Sequence, residues 1–310
     1  MKKIKVKVKD DGRRVDIWLS EQLEISRAQV QKLIKEGLVS RAGNVLHSHH
    51  AMHKGDVIEI AASIKVPKAE RVKAEIPKIQ IIAETNDFIV INKPAGLLMH
   101  GTEREERSSV VDWLLDKNPK ISKVGEDPNR PGIVHRLDKD VSGLVVLAKN
   151  QDSFDDLKSQ FQKRSVMKQY QALVYGEDLP QEGEIRFRLD RSAKGYRMAA
   201  RPENQEGKTS ITNFNVLQNY YNYTLVSVII KTGRTHQIRA HFAAYNHPVV
   251  GDDLYGTVKD KKQNKKLNLG RVFLAALNLS FNDLDGKRQE FSIEMPKQLE
   301  DFLGKLKIKK

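Results

Sequence analysis

No cysteine occurs among the 310 residues of the sequence, which excludes a disulfide framework, a thiolate nucleophile and a zinc–cysteine site. No apolar run approaches the ~20 residues that a membrane helix needs, and residues 1–7 lack the apolar stretch of a signal peptide. The patterns GxxxxGKS/T and GxGxxG do not occur, so we expect no nucleotide-phosphate loop. These absences predict a soluble, cytoplasmic protein.

Positive charge is in excess, with 54 Lys and Arg against 40 Asp and Glu, and the formal net charge is +14. Such an excess favours a polyanionic partner such as nucleic acid, although charge alone can also serve solubility. Residues 259–271 (KDKKQNKKLNLGR) carry six of the basic residues and one acidic residue. We interpret this run as a loop, and a solvated loop and an RNA contact fit it equally well.

The length favours two domains over one. Residues 63–78 (SIKVPKAERVKAEIPK) contain two prolines, many charges and no aromatic residue, a composition typical of a linker. We therefore predict a small N-terminal domain of residues 1–62 and a large domain of residues 79–310.

The small domain is predicted to contain helices at Val15–Gln22 and Arg27–Glu36. Ser26 is a suitable N-cap for the second helix, and Gly37 a suitable C-terminal stop. The apolar residues of this second helix share one face. Its basic side chains fall largely on the other side of the helix, where they could contact phosphates. These basic residues are Arg27, Lys32 and Lys35.

The large domain reads as runs of strands with interspersed helices, which favours an α+β fold over regular βαβ units. The predicted strands are Val90–Asn92, Ile133–Leu137, Leu144–Ala148, Tyr170–Tyr175, Leu225–Lys231 and Phe291–Ile293. The predicted helices are Val110–Lys117, Asp152–Lys163 and His236–Tyr245.

Residues 130–144 (RPGIVHRLDKDVSGL) place a dense polar loop between two apolar strands. Packing has no use for His135, Arg136, Asp138 and Asp140 at such a place, whereas a carboxylate at a strand end can face a cleft from a rigid support. The arginine could bind phosphate, stack on a base or fill a gap in a duplex. The alternative is a buried Arg–Asp pair that only holds the loop.

In residues 231–241 (KTGRTHQIRAH) a strand turns at a glycine into a helix, with Arg234 and His236 in its first turn. Arg239, within the helix, could reach a buried carboxylate and keep it ionised by lowering its pKa. Downstream, Asp252 and Asp253 would suit metal or acid–base work, but we favour a turn with a solvent-facing partner.

Four histidines in residues 47–53 (HSHHAMH) suggest a metal patch. The sequence places no carboxylate or cysteine beside them to complete a ligand shell, and we expect no metal site. Ser142 lacks the G-x-S-x-G surroundings of a hydrolase nucleophile.

The segments RRVDIWLSEQL, ISRAQVQKLIKEGLV and KGDVIEI resemble the alpha-L RNA-binding domain, which is named for a small-subunit ribosomal protein. The resemblance spans residues 12–61. It implies a small module of helices and strands that holds structured RNA through basic residues of its helix. The alternative is a helix pair that only packs. Residues 40–44 (SRAGN) depart from the Val-Asn-Gly turn common in that family.

Four further segments occur in order: DFIVINKPAGLLMHG, RPGIVHRLDKDVSGLVVLAKN, KQYQALVYG and KTGRTHQIRAHFAAYNHPVVGDDLYG. Together they resemble the RluA/RluD family of pseudouridine synthases over nearly all of residues 79–296. The resemblance implies a catalytic domain with a mixed, mostly antiparallel central sheet flanked by helices, and a basic cleft. An alpha-L domain in front is the arrangement of family members that act on large-subunit ribosomal RNA.

The resemblance also implies residue roles. Asp138 corresponds to the catalytic aspartate, Arg239 to the arginine that pairs with it, and Tyr170 to the tyrosine that stacks on the target uracil. Arg136 corresponds to the arginine that takes the space of the flipped base, and Leu274 to an apolar residue of the base pocket. We add Arg234 and His236 as candidate RNA contacts.

Two positions depart from the family pattern: Val141 stands where threonine is usual, and Ala275 where histidine is usual. Neither is one of the residues expected to act on the uridine. We therefore expect them to affect substrate detail and rate, not the class of reaction.

The sequence thus predicts an RNA pseudouridine synthase, an isomerase, that acts on large-subunit ribosomal RNA or an assembling large subunit. Two alternatives stay open. One is a transfer RNA synthase, which uses the same residues. The other is a non-catalytic RNA-binding or ribosome-assembly factor, which would have lost Asp138, Tyr170 or Arg239. The isomerisation moves uracil from nitrogen to carbon 5 on the same sugar carbon without oxidation or hydrolysis. We therefore expect no cofactor and no metal, and we expect a monomer.

Overall fold

The computed structural model describes residues 2–7, 10–23, 25, 27–61, 76–101, 108–192 and 197–309. These residues form two compact units, one of residues up to 61 and one of residues from 76 onward, except that Gly101 groups with the first. Most of the predicted linker 63–78, and the predicted helix cap Ser26, lie outside the described residues. The boundaries at 62 and 79 stay predictions.

The first unit packs two helices against a small antiparallel sheet with strand order β1-β4-β2-β3. Buried apolar side chains from both helices, including Trp18 and Val30, form its core. Buried Asp16 accepts hydrogen bonds from the Arg14 guanidinium at 3.1 and 2.9 Å and from Gln31 at 2.8 Å, which ties the two helices together. The elements are β1 (Lys2–Lys5), α1 (Val15–Leu23), α2 (Arg27–Lys35), β2 (Val39–Arg41), β3 (Asn44–Val45) and β4 (Val57–Ile60).

The second unit is built on one large sheet whose described strands follow the order β10-β9-β11-β12-β8-β13-β7-β6-β5, with β14 beside β13. The strands are β5 (Gln80–Glu84), β6 (Phe88–Lys93), β7 (Ser142–Ala148), β8 (Met167–Tyr175), β9 (Glu182–Arg191), β10 (Met198–Arg201), β11 (Lys208–Tyr220), β12 (Tyr223–Ile230), β13 (Leu274–Asn282) and β14 (Arg288–Ser292). The helices are α3 (Val110–Lys117), α4 (Gln151–Lys163), α5 (Gln237–Ala244), α6 (Val258–Leu267) and α7 (Lys297–Leu303).

The pairing within this sheet is antiparallel except between β7 and β13. A mixed, mostly antiparallel sheet with helices confirms the predicted α+β fold class. The parallel contact brings the chains close at Gly143, where φ is +126° and an added Cβ would lie 2.1 Å from the carbonyl oxygen of Ala276. Only glycine fits such an approach, and this fixes where the polar loop before β7 enters the sheet.

Two sequence-based predictions of local structure are wrong. The predicted strand Ile133–Leu137 is a bent loop in which Ile133 makes only an isolated bridge to Leu147. The loop bends because the His135 ring turns back to the sheet, where its Nε2 accepts a 3.0 Å hydrogen bond from the Val146 N–H.

The lysine-rich run 259–271 is not a loop but forms most of helix α6. Thr257 and Asp260 make a capping box that starts the helix. Asn264 is buried and anchors it by accepting hydrogen bonds from the Tyr175 hydroxyl at 2.7 Å and the Gly251 N–H at 2.8 Å. Caps and one buried polar anchor therefore decide the local structure of a segment whose composition is typical of a loop.

Candidate active site

A cavity of about 560 Å³ opens in the second unit between the loop before β7, strand β8 and the turn from β12 into α5. Its lining contains every candidate residue that the sequence placed in the large domain. These are Arg136, Asp138, Tyr170, Arg234, His236, Arg239 and Leu274. Segments that span the chain from Arg136 to Leu274 thus meet around one space.

The three candidates of the first unit lie on α2. Lys32 and Lys35 are exposed, and the Lys32 ammonium is 3.9 Å from the Glu36 carboxylate in a surface pair. The side chain of Arg27 lies outside the described part of the structure. Helix α2 therefore presents basic side chains to solvent, in agreement with the predicted basic surface.

Asp138 lies in a tight turn just before β7, where its carbonyl oxygen accepts a 3.2 Å hydrogen bond from the Val141 N–H. The side chain is 15% exposed, so the carboxylate is reachable from the cavity but largely surrounded by protein. The Gly96 N–H donates a 2.8 Å hydrogen bond to the carbonyl of Lys139. Residue 138 thus belongs to a short loop whose backbone is held on both sides.

Lys93 supports the same loop from inside the protein. It is fully buried at the end of β6, and its ammonium donates to the carbonyl oxygens of Pro94, Leu97 and Lys139 at 2.9, 2.8 and 3.1 Å. Burial lowers the pKa of Lys93 to about 7, although the nearby carboxylate of Asp138 opposes the shift. One side chain therefore joins the turn after β6 to the loop that carries the aspartate.

Arg239 extends from α5 and contacts two carboxylates at once. Its Nη1 donates to Asp138 Oδ2 at 3.2 Å, while Nε and Nη2 donate to Asp252 at 2.6 and 2.9 Å. Burial alone would lower the pKa of this guanidinium, but the hydrogen bonds and charges of Asp252 and Asp138 outweigh burial and raise the pKa. The arginine is a permanent cation beside the Asp138 carboxylate.

Asp252 and Asp253 lie in a turn, as predicted, and only Asp253 faces solvent; Asp252 points inward. Its side chain is fully buried, and Oδ1 also accepts hydrogen bonds from the N–H groups of Leu254 and Tyr255 at 2.9 and 3.1 Å. The turn therefore directs this carboxylate inward, where it contacts Arg239. The neighbouring Asp253 is the exposed member, and it accepts a 3.0 Å hydrogen bond from Asn264.

His236 occupies the residue before α5 with a left-handed φ of +54°. The Tyr255 hydroxyl accepts a 2.8 Å hydrogen bond from the Met198 N–H, so its own proton is free for His236 Nδ1, 3.1 Å away. If the hydroxyl donates that proton, the neutral histidine carries its own proton on Nε2, which lies 3.9 Å from Asp138 Oδ1. Burial lowers the pKa of His236, which favours the neutral ring beside the carboxylate.

Tyr170 and Leu274 supply apolar surface to the cavity. Tyr170 is 5% exposed and Leu274 is 3% exposed. Burial, and then the charge of Asp138, raises the pKa of the Tyr170 hydroxyl, which stays protonated at neutral pH. The two side chains offer a flat aromatic ring and an aliphatic wall beside a carboxylate, a combination suited to a planar base.

The two departures from the family pattern lie in different surroundings. Val141 is buried and lines the cavity. Ala275 instead belongs to a separate apolar cluster that includes Leu173 and Phe273, and it is not part of the cavity lining. Only the valine is placed to influence a bound substrate directly.

Sequence reasoning missed Lys93, Asp252 and Tyr255 as parts of the site. A lysine at the end of the apolar run FIVINK was a signal for a buried cation, and a carboxylate pair in a glycine-bounded turn was one for Asp252.

Among the described residues, no three His, Asp or Glu side chains are grouped as metal ligands, and no helix there is both long and apolar enough to span a membrane.

The chain is similar to proteins of one known family. The sequence pattern described as RNA pseudouridylate synthase matches residues 87–244. An uncharacterised RNA pseudouridine synthase of Chloroflexus aurantiacus is 37% identical over 296 residues, which cover 94% of this chain and 90% of the relative. The ribosomal large subunit pseudouridine synthase D of Zymomonas mobilis is 31% identical over 302 residues, which cover 96% of this chain and 95% of the relative.

Two solved human structures share the fold. RNA Pseudouridylate Synthase Domain Containing 1 has a TM-score of 0.60 at 24% identity and covers 76% of this chain and 91% of its own. Domain Containing 4 has a TM-score of 0.58 at 22% identity and covers 74% and 94%. The chain belongs to the RNA pseudouridylate synthase family. It is accordingly an isomerase with an RNA substrate, which confirms the predicted reaction class.

Proposed function

We propose that this enzyme isomerises uridines of large-subunit ribosomal RNA, as a cytoplasmic monomer without cofactor or metal. The observation that carries the catalytic part is the contact of Arg239 with Asp138 at 3.2 Å inside a cavity with an aromatic wall. The choice of RNA is supported by the name of the Zymomonas mobilis relative, which is similar along nearly its whole length.

In the proposed mechanism the target uridine leaves the RNA stack, at a cost of a few kcal/mol. Arg136 is exposed at the cavity and can fill the space that the base vacates, since its guanidinium is planar and always charged. Tyr170 then stacks on the uracil, a contact worth about 1–3 kcal/mol, and Leu274 closes the pocket. These interactions hold the base while its bond to the sugar changes.

Asp138 is the group proposed to act on the ribose, either by attack on carbon 1′ or by removal of the 2′ proton. Both routes need an ionised carboxylate, and Arg239 places a permanent cation 3.2 Å from its Oδ2. The glycosidic C–N bond breaks and the uracil turns. Carbon 5 then bonds to the same sugar carbon. In the first route this displaces the Asp138 carboxylate from carbon 1′, and in the second route Asp138 returns the proton to carbon 2′. The proton on carbon 5 is then lost and nitrogen 1 gains one, so nothing else is consumed.

The first unit is proposed to be an alpha-L domain that captures RNA. Support comes from its two-helix and small-sheet architecture and from the exposed lysines of α2, Lys32 and Lys35. Arg234 and His236 are proposed as RNA contacts in the cavity of the second unit. Replacing both α2 lysines by glutamine should weaken ribosomal RNA binding and flatten its salt dependence; an unchanged affinity and salt slope would remove α2 from RNA capture.

The main test maps pseudouridines chemically in ribosomal and transfer RNA from cells with the gene, without it, and with the Asp138→Asn variant. We expect one or more large-subunit sites to disappear in both the deletion and the variant. Loss of sites in transfer RNA alone would instead establish the transfer RNA alternative. Unchanged maps in all three strains would refute catalysis and leave the assembly-factor alternative.

A further inference from the structure

Lys168 is a cation in the cavity that the proposed catalytic steps do not use. It lies on β8 and lines the same space as Asp138 and Tyr170. No carboxylate of the described residues forms an ion pair with it; its ammonium lies 5.2 Å from the centre of the Phe161 ring. Burial lowers the pKa of Lys168 to about 8, so most molecules still carry the charge at pH 7.

The other lysines of the lining behave differently. Lys158 pairs with Glu126, and the Lys231 ammonium is 3.5 Å from the Glu184 carboxylate. Lys168 is half-buried and has the π face of Phe161 in place of an anion. A partly buried charge without a counter-ion is costly, which indicates that the counter-ion arrives with the substrate.

The position of Lys168 indicates which anion of the substrate can reach its ammonium. Residues 168 and 170 point to the same face of β8, and two strand steps separate them by about 7 Å. The Lys168 ammonium also lies beside Gly233, where an added Cβ would be only 3.5 Å away. The glycine leaves an open approach to the ammonium, with the exposed Arg164 and Arg234 also in the cavity lining.

We propose that Lys168 binds a backbone phosphate at or next to the target uridine, fixing the sugar relative to Asp138. Phosphates are the anions that RNA offers, and a phosphate at this distance from Tyr170 belongs to the nucleotide whose base stacks there or to its neighbour. Phe161 holds the lysine stem in place through the cation–π contact. This inference rests on the proposed function, since it assumes an RNA in the cavity.

The test uses an RNA fragment that the wild-type enzyme converts, with binding measured in the Asp138→Asn background to prevent turnover. Lys168→Met should lower affinity about tenfold and reduce the salt slope by about 0.7–0.9, the value for one phosphate contact. Lys168→Arg should restore most of both. Lys297→Met, which removes an 86% exposed lysine outside the cavity lining, is the matched control and should change affinity less than twofold.

A double-mutant cycle identifies the phosphate itself. Neutral methylphosphonates are placed one at a time around the target uridine; one position should weaken binding of the enzyme with Lys168 and have no further effect with Lys168→Met. Additive losses at every position, or equal affinity of the methionine and parent enzymes, would overturn the phosphate contact. If the wild-type enzyme produces no pseudouridine in any RNA, the proposed function fails first, and this inference with it.

Discussion

Asp252 holds Arg239 by two hydrogen bonds of 2.6 and 2.9 Å, and both side chains are almost completely buried. This fork leaves only Nη1 of the guanidinium for the cavity, where it contacts Asp138 at 3.2 Å. Asp252 therefore sets the direction in which the arginine presents its charge. An arginine with one carboxylate partner would be free to rotate between positions, whereas this one is fixed before substrate binds.

The first prediction concerns Asp252→Asn, which keeps the shape of the side chain and removes its charge. The buried guanidinium would keep only Asp138 as a counter-ion, at 3.2 Å. Because breaking a buried ion pair is strongly destabilising, we expect a loss of about 3 kcal/mol. A misplaced Arg239 should also reduce kcat about 100-fold, as expected for small displacements in a pre-organised site. Urea unfolding and steady-state kinetics measure the two effects.

Asp253→Asn is the matched control for this experiment. Asp253 is the adjacent carboxylate in the same turn, but it is exposed and contacts Asn264 instead of the arginine. We expect stability within about 0.5 kcal/mol of the wild type, as for most surface substitutions, and an unchanged kcat. Equal losses in the two variants would mean that the turn, and not the buried pair, matters.

The sequence predicted the site better than it predicted the sheet. Local polar patterns located Asp138 and Arg239, the family resemblance located Tyr170, and the structure brings all three into one cavity. The long strands β9 and β11 were not predicted, because their residues alternate irregularly and their partners lie far along the chain. Pairing between distant segments is a tertiary property that local composition does not encode.

Asp252 and α6 illustrate why the remainder was not predictable. A pair of aspartates beside glycines has the composition of an exposed turn, and only the position of Arg239 in space makes one of them a buried counter-ion. The run 259–271 has low hydropathy throughout, and its helical state depends on the Asn264 contacts with Tyr175 and Gly251. In both cases hydrogen bonds to residues outside the segment help to decide between a solvated and a packed state.

A second prediction concerns Lys93→Met, which retains the length of the stem but removes the ammonium. The carbonyl oxygens of Pro94, Leu97 and Lys139 would lose the ammonium donor, and that of Lys139 would keep only the Gly96 N–H. Unsatisfied buried polar groups cost about 1–3 kcal/mol each, and we expect a total destabilisation of about 3 kcal/mol after relaxation. Urea unfolding at pH 7 provides the measurement.

The same Lys93 variant should also affect catalysis, because the Lys139 carbonyl lies next to Asp138. We expect kcat to fall more than KM changes, since the aspartate would lose its position while the cavity walls remain. Lys93→Arg tests whether charge alone is enough; the bulkier guanidinium does not fit three converging carbonyls, and we expect no rescue. A methionine variant with wild-type kcat would show that Asp138 does not need this support.

A third prediction concerns Tyr255→Phe, which removes only the hydroxyl between the Met198 N–H and His236 Nδ1. The ring would keep its contact with Arg239, whose guanidinium carbon lies 5.3 Å from the ring centre. Loss of the hydrogen bonds should cost about 1 kcal/mol. Without the hydroxyl donor, His236 can also place its proton on Nδ1 and face Asp138 with an unprotonated Nε2.

Nitrogen-15 chemical shifts and steady-state kinetics separate these effects. Chemical shifts of the His236 ring should indicate the Nε2–H tautomer in the wild type and a mixture in Tyr255→Phe. We expect kcat/KM to fall about fivefold, the equivalent of 1 kcal/mol. A wild-type tautomer in the phenylalanine variant would contradict the role assigned to the hydroxyl, whatever happens to the rate.

The fourth prediction concerns the pH dependence of stability, which arises from two buried histidines and one half-buried histidine. Burial lowers the pKa of His135 to about 3, with the Lys168 charge as a smaller cause, and burial lowers the pKa of His100 and His241 to about 4. In the unfolded chain each has a pKa near 6.5, so below that pH the unfolded state binds protons that the folded state does not. These histidines therefore leave the free energy of unfolding at its highest above pH 6.5, and they lower it as the pH drops towards 4.

His135→Gln tests this dependence at one residue, because an amide oxygen can accept the Val146 N–H as His135 Nε2 does but cannot be protonated at these pH values. We expect the variant to be slightly less stable than the wild type at pH 7, owing to the lost stacking on Phe161 at 4.6 Å. Between pH 6.5 and 4.5 its unfolding free energy should decline less steeply, so that the two stability curves converge or cross. Parallel curves in urea unfolding at pH 7, 6 and 5 would mean that His135 is protonated in the folded protein, and that the hydrogen bond from Val146 does not hold the ring neutral.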